Sequence, residues 1–89
     1  MNDIVMQCTV YKSLQQFDYF LYVLTADDLS RLPDALRQML GKLEKVIELE
    51  LHGQRTLAQA DVREVMRQIE TQGYYLQMPP LSGTPPLVS

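Results

Sequence analysis

Apolar and polar positions alternate from Val5 to Lys12, with Met6, Cys8 and Val10 on one side and Gln7 and Thr9 on the other. That two-residue period predicts a strand with one buried face. Ser13 to Gln16 is a polar link, and Asp18 to Leu24 follows with the run Tyr19-Phe20-Leu21-Tyr22-Val23-Leu24. A run apolar on both sides predicts a central strand covered on both faces, and the short link makes the pair a hairpin. Asp27-Asp28-Leu29-Ser30-Arg31-Leu32-Pro33 carries helix-start chemistry: capping oxygens, early acids and a first-turn proline. The helix is expected from near Pro33 to Leu40, with Leu32, Leu36, Met39 and Leu40 toward the sheet and Gly41 in a left-handed turn at its end.

The two-residue period returns from Lys45 to Leu51, where Ile47, Leu49 and Leu51 alternate with Glu48 and Glu50. His52-Gly53 closes this third strand as a turn. Arg55 to Ala60 reads either as loop or as a first helical turn. Asp61 stands three residues before Glu64, the capping-box spacing, and Val62, Val65, Met66 and Ile69 line one side of a helix that Gly73 ends. Tyr74 to Met78 is a short last strand, with Tyr74, Leu76 and Met78 opposed to Tyr75 and Gln77, and Pro79-Pro80 stops it. The order β-β-α-β-α-β predicts an α+β fold, a small sheet of about four strands with two main helices packed on it. A chain of 89 residues cannot bury two cores, so one domain is expected over residues 1–80, followed by an extended, mobile, uncharged tail over 81–89.

Composition narrows the chemistry. Eight Lys and Arg against eleven Asp and Glu leave a net charge of −3, which argues against broad binding along a phosphate backbone. The single cysteine, Cys8, excludes an internal disulfide and a cysteine-based zinc site. The first residues carry an acid where a signal peptide carries bases, and no apolar run approaches a membrane span, so a cytoplasmic protein without membrane contact is expected.

No residue set has the make-up of a catalytic or metal site, and no cofactor motif occurs. Cys8 alternates with Met6 and Val10 and reads as a buried structural thiol. His52, the only histidine, reads as a turn residue. Asp27 and Asp28 could hold a hard cation or do acid–base work, but before a helix they read as capping residues. Glu48 and Glu50 share a strand face with no third ligand indicated. Arg63 and Arg67, four apart on the second helix, could touch phosphates or form local ion pairs with Glu64 and Glu70. Tyr75 and Gln77, beside Pro79 and Pro80, could pack in the sheet or form a recognition surface.

Four blocks resemble the YcgL family of small bacterial proteins, whose biochemical function is unassigned. They are Cys8-Thr9-Val10-Tyr11-Lys12-Ser13; Tyr19 through Val23 with Asp27 through Pro33; Leu57-Ala58 through Asp61-Val62; and Gln72-Gly73-Tyr74-Tyr75-Leu76-Gln77-Met78-Pro79-Pro80. The last is the most specific. Where the family pattern commonly has a proline after the glycine that follows the first helix, this chain has Leu43. The resemblance implies an α+β domain and brings no catalytic residues. It also associates the family with a neighbouring ribonuclease D gene. The leading expectation is a non-enzymatic protein-interaction module, with Tyr75, Gln77, Pro79, Pro80, Arg63 and Arg67 as its candidate surface and self-assembly as one mode of action. An RNA-associated regulator linked to RNA processing is the alternative, and a small enzyme a third reading.

Overall fold

The computed structural model describes residues 5–54, 57 and 61–79. Strands β1 (Met6–Ser13), β2 (Phe20–Leu24), β3 (Leu43–Leu51) and β4 (Tyr74–Gln77) and helices α1 (Asp34–Leu40) and α2 (Val62–Gln72) follow in the expected order, β-β-α-β-α-β. The strands form one sheet in the spatial order β3-β1-β2-β4 with every neighbouring pair antiparallel. The hairpin strands β1 and β2 therefore lie inside, and β3 and β4 are the edges.

Side-chain alternation across this sheet divides the core in two. On one face Cys8, Val10, Tyr22 and Leu51 meet Val62, Val65 and Ile69 of α2, with Phe20 and Tyr75 packed alongside. On the other, Leu21 and Val23 meet Leu40 of α1 and Leu32 of the segment before it, with Tyr11, Tyr74 and Leu76 around them. β2 is covered on both sides, as its two-sided apolar run requires. β1 is covered on both sides as well: Thr9, expected on a polar face, is buried, and its hydroxyl is matched to that of Thr25 at 3.0 Å.

Several local expectations change. Asp27 and Asp28 do not start a helix; residues 25–31 form successive turns, with Asp28 in the left-handed region at φ 49°. The proline at position 33 explains the delay, since it disfavours helical geometry in the residue before it. Pro33 is itself the N-cap of α1, without a side-chain cap hydrogen bond. Ile47, expected on a buried face, is 50% exposed, as is Val46, because a bulge between the Val10–Ile47 and Tyr11–Lys45 pairs inserts Val46 into an edge strand. Met39 of α1 is likewise exposed rather than turned to the sheet.

α2 follows its sequence signals more closely. The Asp61 carboxylate accepts from the Arg63 N–H at 3.0 Å as the N-cap, and Gly73 ends the helix at φ 96°. Glu64 does not return to the cap; its carboxylate accepts from Arg67 at 2.6 Å and from Gln68 at 2.7 Å instead. The tail expected over 81–89, together with Pro80 and most of Arg55–Ala60, lies outside the described residues.

Candidate functional site

The residues singled out for chemistry are dispersed by the fold. Cys8 is fully buried in the α2-side core, and burial pushes its thiol up to about 11, so it stays protonated and a poor nucleophile. His52 sits in the turn after β3 with its Nδ1 accepting from the Gln54 N–H at 3.3 Å. The Asp28 carboxylate accepts a short hydrogen bond from the Tyr11 hydroxyl, and Asp27 pairs with Arg31 at 3.8 Å. Glu50 accepts from Gln7, and Glu48 pairs with Lys45 at 3.0 Å. No group of three or more His, Cys, Asp or Glu capable of holding a metal occurs among the described residues.

The bases show the same dispersal. Arg67 pairs with Glu64, which raises the arginine and holds the carboxyl below its usual range. Lys12 pairs with Glu44 at 3.6 Å, and Arg37 donates to the Leu29 carbonyl at 2.6 Å. Arg63 is exposed, with its guanidinium close to Gly53. Of the expected recognition surface, Tyr75 is half-buried, its ring edge-on to Tyr22 at 5.9 Å between centroids. Gln77 is half-buried and accepts from the Tyr22 hydroxyl at 3.4 Å, while Met78 beyond it is exposed. Pro80 lies outside the described residues.

Sequence patterning missed the end of the β1–β2 hairpin. A cleft of about 330 Å³ is lined there by Lys12, Ser13, Leu14, Gln15, Phe17, Asp18 and Phe20. Phe17 is 85% exposed and Leu14 is also largely exposed. This loop is tied to the end of α1. The buried Ser13 hydroxyl donates to the Leu40 carbonyl at 2.5 Å and accepts from the Gln15 and Gln16 N–H groups, and both glutamine amides donate to the Met39 carbonyl. Those bonds satisfy carbonyls that every helix end leaves without an intrahelical donor. They also fix the backbone before Phe17, and the backbone after it is held by the Tyr19 N–H donating to the Gln16 carbonyl at 3.3 Å. Phe20, at the edge of the cleft, is paired with Lys12 on one side and Gln77 on the other. The signal in the sequence was Leu14 and Phe17 inside a link otherwise polar, too short a stretch for any period.

The YcgL domain model matches residues 8–80. This chain belongs to the YcgL domain family. Its sequence is 44% identical over 73 residues to a YcgL domain-containing protein of Actinobacillus pleuropneumoniae, covering 82% of this chain and 77% of that one. A YcgL domain-containing protein of Pseudomonas putida is 43% identical over 74 residues, 83% of this chain and 76% of its own. A further relative, from Nitrosococcus oceani, carries the provisional name of a HAD-like hydrolase. It is 49% identical over 71 residues, 80% of this chain, which spans only 19% of that longer protein. The match range contains both core clusters and the hairpin cleft. No described helix is long and apolar enough to cross a membrane.

Proposed function

We propose that this YcgL domain is a protein-interaction module that works through the hairpin end of its sheet. The observation that carries the reading is Phe17, 85% exposed on a loop held by side-chain hydrogen bonds to α1. A large aromatic in water gains by being covered, and one on a fixed loop loses little conformational entropy when that happens. The occupant is a protein segment that lays an aliphatic or aromatic side chain against Phe17, Leu14 and Phe20. Gln77 lies beside Phe20 across the β2–β4 ladder, so part of the YcgL signature string borders this surface. The larger relative, in which such a domain makes up about a fifth of the chain, fits a module that acts beside chemistry located elsewhere. Lys12, Arg31, Lys45 and Arg67 pair with nearby acids in separate parts of the fold, which favours a protein over RNA.

Affinity capture from bacterial extract tests this with wild type, Phe17→Ser and a control, Glu70→Ala, on the exposed side of α2. Partners retained by wild type and the control but lost with Phe17→Ser are expected. A partner set unchanged by Phe17→Ser removes the hairpin end as the working surface.

A further inference from the structure

Edge strand β3 has backbone groups that face away from the sheet, and their direction can be read from its neighbours. The Gln7 carbonyl accepts from the Thr25 N–H at 2.8 Å, and the Ser13 N–H donates to the Tyr19 carbonyl at 3.0 Å. Odd-numbered residues of β1 therefore turn their backbone groups to β2, and even-numbered ones turn theirs to β3. On β3 the partners of even-numbered β1 residues, Glu44, Ile47, Leu49 and Leu51, bond inward. Leu43, Lys45, Glu48 and Glu50 present theirs outward.

The bulge at Val46 keeps these outward positions in step. Lys45 lies opposite Tyr11 and Glu48 opposite Thr9, so three steps on β3 span only two on β1. The rise between Lys45 and Glu48 is then that of two ordinary strand residues, roughly 6.7 Å. Bulges often guard an edge against pairing. Here the inserted residue leaves an evenly spaced row of four.

That row is complementary to itself. We infer that β3 pairs antiparallel with β3 of a second copy, about a two-fold axis between Val46 and Ile47, to make a continuous sheet. In this register Leu43 faces Glu50 of the second copy and Lys45 faces its Glu48, with both pairs repeated across the axis. All four outward residues are used and two Lys–Glu pairs form. Sliding by one step in either direction sets Lys45 against itself or Glu48 against itself, and like charges directly opposed destabilise a ladder. Lys45 and Glu48 already lie on one face, joined within the strand at 3.0 Å. Val46 and Ile47, each 50% exposed, flank the axis, so four branched apolar side chains gather where the two strands meet.

Sedimentation equilibrium with single and mixed variants tests the register. Wild type is expected to dimerise, and Lys45→Glu or Glu48→Lys alone to weaken dimerisation at least tenfold, on the order expected for two opposed like-charge pairs. An equimolar mixture of the two variants should form a heterodimer, because each Lys–Glu pair is then rebuilt between chains and not within them. The double variant Lys45→Glu/Glu48→Lys should dimerise by itself, which separates a lost register from a lost fold. A wild type monomeric to about 1 mM, a dimer indifferent to both single variants, or a mixture that stays monomeric overturns the inference.

Discussion

The two faces of the sheet are closed by different means. On one, an eleven-residue helix lays Val62, Val65 and Ile69 onto β1 and β2, begins at Asp61 and ends at Gly73. On the other, a seven-residue helix and the turns before it contribute Leu40 and Leu32, too little helix to hold its place by an apolar stripe alone. Side-chain hydrogen bonds supply the difference there: Ser13 and the two glutamines to the end of α1, Arg37 to Leu29, Tyr11 to Asp28, Thr9 to Thr25. An apolar stripe tolerates small shifts. A set of specific polar contacts does not, and that rigidity is what positions Phe17.

The largest expected effect breaks the first face. Ile69 is fully buried, and Ile69→Ala removes side-chain volume from the centre of the α2 contact. A loss of about 2–5 kcal/mol is expected in urea or thermal unfolding. The hairpin end, held from the other side of the sheet, should keep its loop structure in the fraction that stays folded.

Ser13→Ala breaks the second face with the loss of one oxygen. That hydroxyl is buried, donates to Leu40 and accepts from two backbone N–H groups, so its removal strands several polar groups at once. A destabilisation of about 1–3 kcal/mol is expected. The comparison sharpens in hydrogen exchange: Ser13→Ala should speed exchange at Gln15 and Gln16 while α2 amides change only with global stability. Uniform loss of protection across both faces would show that they are not independently held.

The same contrast explains what could be read from the sequence. α2 announced itself because Val62, Val65, Met66 and Ile69 recur at helical spacing between a capping aspartate and a glycine, all local signals. The segment from Thr25 to Arg31 carries the same residue types, yet its geometry depends on partners far along the chain. Asp28 is in the left-handed region with its carboxylate bonded to Tyr11, seventeen residues earlier, a contact that no local pattern encodes. β3 failed in a third way. Its residues do alternate, but the inserted Val46 shifts the faces, and an edge position leaves Ile47 uncovered despite an apolar pattern. The hairpin cleft was missed because its lining residues come from two strand ends and a loop and share no period.

The smallest expected effect tests whether the polar contacts on the second face respond to pH. The hydrogen bond to Asp28, then burial, then the charges of Asp28 and Glu48 push the Tyr11 phenol from 10.0 up to about 12. A raised phenol favours the protonated form in the folded state, so its contribution is complete below pH 10 and is lost as pH rises toward 12. Because Tyr11 is partly exposed, Tyr11→Phe should cost only about 1 kcal/mol near neutrality. The stability difference between wild type and variant should be flat at lower pH and shrink across that alkaline window. Cys8, raised by burial alone, titrates in both proteins and cancels from the difference. A difference that stays constant through the window would mean that Tyr11 stabilises this face by packing, and that the Asp28 contact contributes nothing of its own.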